Sequence, residues 1–265
     1  MTGVPPATLL VSIVFFVASI VPVAAVIAFP GRSAAVRSAR ALLLAQLRPA
    51  LAIAALYEAA SIIRGRPLDL TTVAIFAWAI VGLAIARSIP SFEPLPVVRS
   101  ITQHRDALHT VIAMLALALI LNFASKLAGS LGMSIGHALT GEVSATGAVA
   151  GTFPRDPVQS FFLLLGGAGI AEETLFRLIG LSLLWRLTGS AAVAVGGSAL
   201  LFGAYHLSPL DGLYEQFWLF PVSQFLASTA TGLVWGIAYV KRGYETCVLG
   251  HTLGDWLTIV FFLGR

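Results

Sequence analysis

Three short runs in the second half of the chain place ionisable side chains inside otherwise apolar stretches. They are AEETLFR, with Glu172, Glu173 and Arg177; LLFGAYHLSP, with His206; and LGHTLGDW, with His251 and Asp255. A charge at membrane depth costs about 2.5–3.5 kcal/mol even on a lenient insertion scale, so each asks for a reason. At about 100° per residue, Glu173 and Arg177 lie about 40° apart on a helix, an i,i+4 pair with the acid N-terminal. Glu172 points about 140° away from Arg177 and lacks that local partner. The pair therefore reads as structural and the spare carboxylate as the chemical one. A charge network joining helices is the plainer alternative, and a second adjacent Glu without a partner weighs against it. His206 follows Phe202 by four residues on the same helix face; alone, it reads equally as a packing residue or an interfacial anchor. His251 and Asp255 form another i,i+4 pair, in which the carboxylate can hold the imidazole in one tautomer or simply clamp two helices.

Together these runs offer carboxylate, imidazole, imidazole and carboxylate from three apolar segments. A glutamate and a histidine flanking one water can activate it as a general base. A second histidine can stabilise the oxyanion of an attacked amide. Water is the expected nucleophile, since no Ser or Cys stands in a triad-like setting. The same groups allow a second chemistry: Glu172, Glu173, His206 and His251 could bind zinc with an open water position. The close HExxH ligand pair is absent, which counts against that reading.

The segments that must position these residues are membrane segments. The chain has 265 residues, 58% of them hydrophobic and only 11% charged. Its mean hydropathy of +0.91 is too high for one buried helix or one signal sequence to supply. Soluble domains carry about a quarter charged residues. A polytopic all-α membrane protein is implied, with helices because backbone groups in lipid must be satisfied internally. Cys247 is the sole cysteine, which excludes a disulfide scaffold and a cysteine-only metal site. The net charge of +4 comes from bases scattered between apolar runs, so it reads as loop charge facing anionic lipid and not as a nucleic-acid surface.

With about 20 apolar residues needed per crossing, eight spans are expected. They run about Leu9–Phe29, Ala41–Ile63, Leu70–Ala86, Ala107–Leu127, Val158–Trp185, Ser190–Leu207, Pro221–Val240 and Thr246–Leu263. The first lacks the charged start and cleavage site of a signal peptide and is expected to stay in the mature protein. The second contains Arg48, Pro49 and Glu58, and its first part could lie along the interface. A connection from Ala128 to Pro157, rich in Gly, Ser and Thr, suits either a substrate gate or a plain loop. Lys126 is expected to reach for headgroups. The glycines of Leu165 to Gly169 are expected to permit close helix packing. A single membrane domain, 1–265, accounts for the whole chain.

Arg32, Arg37, Arg40, Arg87, Arg99, Arg105, Arg186, Lys241 and Arg242 gather on one side; Arg64, Arg66, Lys126, Arg155 and Arg265 gather on the other. The richer side is expected to be cytoplasmic, with both termini outside. The connection from Ser208 to Phe220, which holds Asp211 and Glu215 but no base, agrees with an outer location.

EETLFR (Glu172 to Arg177), FGAYH (Phe202 to His206) and HTLGD (His251 to Asp255) resemble the EExxxR, FxxxH and HxxxN/D motifs of the CPBP family, the CAAX prenyl proteases and bacteriocin-processing (Abi-type) enzymes. The resemblance covers about 158–263. It implies a glutamate-type intramembrane protease with an eight-helix fold, in which Glu172 and His206 activate water and His251 and Asp255 form the oxyanion site. Glu173 and Arg177 would support the scaffold or the substrate backbone, with Phe202 beside them. Asp255 departs from the Asn of several members: an ionised Asp cannot donate to an oxyanion, so orienting His251 is its expected role. The expected partner is a membrane-anchored or secreted peptide, such as a C-terminal sorting tail, cleaved at the outer face of a bacterial inner membrane without a cofactor. A zinc-dependent peptidase and a catalytically silent scaffold are the alternatives.

Overall fold

A computed structural model describes residues 6–28, 33–67, 70–103, 106–144, 149 and 151–262. Among them every regular element is a helix. In chain order these are α1 (Pro6–Ala28), α2 (Ala34–Leu44), α3 (Leu47–Ile63), α4 (Leu70–Arg87), α5 (Pro96–Thr102), α6 (Ala107–Thr140) and α7 (Pro157–Leu164). Two wide-turned π-helical stretches follow, Leu165–Glu172 and Thr174–Leu181. The chain then runs through α8 (Ser182–Thr188), α9 (Ala191–Tyr205), α10 (Tyr214–Phe217), α11 (Pro221–Arg242) and α12 (Tyr244–Leu257), ending in a third wide turn at Thr258–Phe262.

By length and composition, α4 and α6 can each cross a membrane, and α2 with α3, bent by 49° at their break, makes a third candidate. The bend falls in the segment whose Arg48 and Pro49 made it the poorest expected span. Phe29, Leu263 and the charge-asymmetry residues Arg32, Arg105 and Arg265 lie outside the described residues.

One boundary differs clearly from expectation. The helix expected to stop near Leu127 continues to Thr140, so most of the first half of the supposed 128–157 connection is helical. Its glycines at 129, 132 and 136 pack against α11 and do not turn the chain. A Cβ on Gly132 would lie 2.6 Å from the Leu226 carbonyl oxygen and 2.8 Å from Ala227 Cα, so α6 and α11 approach backbone to backbone. Such contact suits a membrane interior, where helices associate by close packing because lipid offers no hydrophobic penalty for separating them. Beyond Gly141, which ends the helix in the left-handed region at φ +74°, Glu142 turns back onto α11. Its carboxylate accepts the N–H groups of Ser223, at 2.8 Å, and Val222, at 3.2 Å. Desolvation pushes this carboxyl up, but hydrogen bonds from those N–H groups and from the Ser223 and Thr140 hydroxyls outweigh it and lower its pKa from the ordinary value.

Leu83, Leu178, Leu181, Trp235 and Tyr239, all fully buried, join α4, the second wide-turned stretch and α11 in the main core. The helix run from Pro157 to Thr188 threads this core and carries Glu172, Glu173 and Arg177. Gly169 in that run sits against α12, where a Cβ would lie 3.2 Å from the Val248 carbonyl oxygen, so the packing role expected of these glycines holds for Gly169 and not for Gly167, which has nothing within 4 Å. π-helical turns are uncommon and recur at functional sites. Here Glu172 ends the first such stretch and Glu173 joins it to the second.

Candidate active site

Two neighbouring carboxylates enter the bundle in different surroundings. Glu173 is fully buried, and its Oε1 lies 3.3 Å from Nη1 of the equally buried Arg177. The i,i+4 pair expected from sequence therefore forms, even though the backbone here is wider than an α-helix. The Arg177 guanidinium also rests 4.6 Å above the centre of the Phe202 ring, so α9 closes over the pair from the other side. Glu172 is only partly buried. It faces His206 and Asp211, and one potential ligand atom from each of the three side chains lies within 4.8 Å of the others.

His206 follows the last turn of α9. Its Nδ1 is 2.5 Å from Asp211 Oδ2, and its ring is flanked by Phe202 at 4.6 Å and Phe217 at 5.4 Å between centroids. His251, on α12, is held the same way: its Nδ1 lies 2.7 Å from Glu173 Oε1, while Trp235 stacks on the ring at 5.8 Å. Phe202 reaches this second ring too, at 5.9 Å. A single phenylalanine thus touches Arg177, His206 and His251, which explains why it belongs with the ionisable residues.

Asp255 lies one helical turn below His251. Its Oδ2 is 3.5 Å from His251 Nε2, and its Oδ1 accepts a 2.6 Å hydrogen bond from Lys126 of α6. The closest carboxylate on His251 is therefore Glu173, not Asp255. Lys126, expected to extend toward headgroups, instead ties α6 to α12 through Asp255. Trp256, next in the chain, packs edge-on to Phe161, its indole N–H donating to the Pro157 carbonyl at 2.8 Å.

All seven residues singled out from sequence come together, from the Pro157–Thr188 run, from α9 and the residue that caps it, and from α12. Two charged partners were missed. Lys126 sits 129 positions from Asp255 in sequence, and no periodicity links them. Asp211 left a weak trace as one of two acids in a loop without bases, but its five-residue separation from His206 crosses a helix end, where helical spacing carries no information. The four residues considered together as a zinc set divide: Glu173 is committed to Arg177 and His251, and the donors that converge are Glu172, His206 and Asp211.

Residues 154–257 match the family model described as Type II CAAX prenyl endopeptidase Rce1-like, consistent with the CPBP family. That segment contains all three motifs. No curated protein and no solved structure matches the chain.

Proposed function

We propose that the protein is an intramembrane endopeptidase that cleaves a membrane-associated peptide with water activated by Glu172 and His206. The observation that carries this reading is the grouping of Glu172 with His206 inside the matched segment, with His251 and the Glu173–Arg177 pair beside them. Water attacks the scissile carbonyl carbon as Glu172 takes its proton. Glu172 then returns that proton to the leaving amide nitrogen as the C–N bond breaks. His251 has a carboxylate near each ring nitrogen, Glu173 at Nδ1 and Asp255 at Nε2. A ring protonated at both positions offers Nε2–H to the oxyanion. Asp255, engaged by Lys126, then positions His251 and does not itself donate.

The eight-crossing topology expected from sequence, with the site opening at the outer face of a bacterial inner membrane, suits secreted peptides or sorting tails. It is supported by basic residues at the C-terminal ends of α4, α8 and α11 and by a base-free loop after His206. The matched family is described as a CAAX prenyl endopeptidase, so a prenylated CAAX peptide is included in the substrate panel.

The decisive experiment compares the purified full chain with Glu172→Gln in lipid nanodiscs, using a prenylated CAAX peptide and the peptidome of cells expressing either form. Products or trimmed termini that depend on Glu172 support the proposal. Matching peptidomes, with a deletion phenotype that Glu172→Gln still complements, would replace it with a scaffold role.

A second reading has one observation in its favour. Glu172, His206 and Asp211 supply three donors within 4.8 Å, the ligand count of a catalytic zinc site with an open position. Activity abolished by a chelator and restored by zinc would select it.

A further inference from the structure

We infer that Asp211 is the positioning residue for His206, fixing the imidazole in the Nδ1–H tautomer so that the lone pair stands on Nε2. The inference rests on the proposed role of His206 and extends it to a residue outside the three motifs.

The side chain of Asp211 is almost fully buried, and both its oxygens are used. Oδ1 accepts the Leu213 N–H at 2.7 Å, closing the loop on itself as an Asx turn. Oδ2 takes the His206 Nδ1 position at 2.5 Å. The loop that presents this carboxylate is tied at several points. The Asp211 N–H donates to the Ser208 carbonyl, and the Trp218 indole N–H donates to the Leu207 carbonyl. His206 in turn has little freedom to rotate, with Phe202, Tyr205 and Phe217 all around its ring.

The symmetry with the other histidine strengthens the case. His251 also has its Nδ1 on a buried carboxylate, that of Glu173. Both imidazoles of the site are thus anchored through Nδ1, which leaves Nε2 of His206 for chemistry, while Nε2 of His251 also has Asp255 at 3.5 Å. A carboxylate at Nδ1 fixes tautomer and ring orientation in hydrolytic and metal-bound histidines alike. If Asp211 served only the loop, Oδ1 would suffice and Oδ2 would have no reason to meet the ring.

The division of labour between the two oxygens selects the test variant. Asp211→Asn keeps a carbonyl oxygen for the Leu213 N–H, so the turn survives. The amide N–H2 then faces His206 Nδ1 as a donor and drives the proton to Nε2. Nitrogen-15 NMR of histidine-labelled full chain in nanodiscs, at a pH where the ring is neutral, reads the tautomer directly, with His206→Gln assigning the signal. The wild type is expected to show Nδ1–H, Asp211→Asn to show Nε2–H, and Asp211→Glu to restore Nδ1–H. In a cleavage assay on a responsive peptide, Asp211→Asn is expected to lower kcat about 100-fold with little change in KM. A wild-type Nε2–H signal overturns the inference without any variant, and so does an unchanged tautomer in Asp211→Asn. Cleavage bears separately on the endopeptidase reading: an Nδ1–H signal in a protein that cleaves nothing would uphold Asp211 as the His206 anchor while refuting the proposed activity.

Discussion

Replacing Arg177 by methionine should be among the most damaging single changes in the protein. Arg177 and Glu173 have essentially no solvent exposure, 1% and 0% of their side-chain surface, so water cannot take over for a missing partner. Beyond the 3.3 Å ion contact, the guanidinium nitrogens and Glu173 Oε2 find no hydrogen-bond acceptor or donor among the described residues. Such a pair adds little net stability as a unit, because desolvation of both charges offsets their attraction. Breaking it is different. Arg177→Met leaves the Glu173 carboxylate buried with His251 as its remaining polar partner, and removing one member of a buried pair costs about 3–5 kcal/mol. Glu173→Gln in the same chain removes the stranded charge while its amide oxygen still meets His251. The double variant should therefore be more stable than Arg177→Met alone, a coupling of about 2 kcal/mol or more. Equilibrium unfolding in mixed micelles of dodecyl maltoside and SDS, followed by tryptophan fluorescence, measures all corners of the cycle. A cost below about 1 kcal/mol for Arg177→Met, or simple additivity in the double variant, would refute the reasoning.

Three further outcomes are expected. Glu142→Gln should lower the melting temperature near neutral pH. Because the folded-state pKa of Glu142 lies below its ordinary value, its stabilisation exists above that value and disappears as pH falls through the folded pKa, so variant and wild type should converge in acid. Gly132→Ala should lower the melting temperature sharply, since its new methyl would meet the Leu226 carbonyl at 2.6 Å, whereas Gly196→Ala, with no atom within 4 Å, should be neutral or stabilising; detergent-solubilised melting curves compare them. In the cleavage assay, Asp255→Asn should retain activity while His251→Ala loses it; the reverse pattern would move the oxyanion role from His251 to Asp255.

The membrane character, the all-helical class and most members of the polar cluster, though not Lys126 or Asp211, were legible without coordinates, and for a physical reason. Lipid tolerates few ionisable groups, so in an apolar chain the positions of Glu172, His206, His251 and Asp255 stand out individually. The Glu173–Arg177 pair was legible as well, because its partners are local and share one helix face. Tertiary structure decided what local spacing cannot encode. Glu173 holds His251 across 78 positions and Lys126 holds Asp255 across 129, contacts made only when separate helices pack. Asp211 meets His206 through a loop, where no periodicity connects them. The length of α6 belongs to the same category. Its glycines and serines have a composition that suits a connection in isolation, yet the segment is helical, with Gly129, Gly132 and Gly136 set where α11 comes close enough that a larger side chain would not fit. Composition and local spacing determine which groups the membrane must accommodate; packing determines which of them face one another.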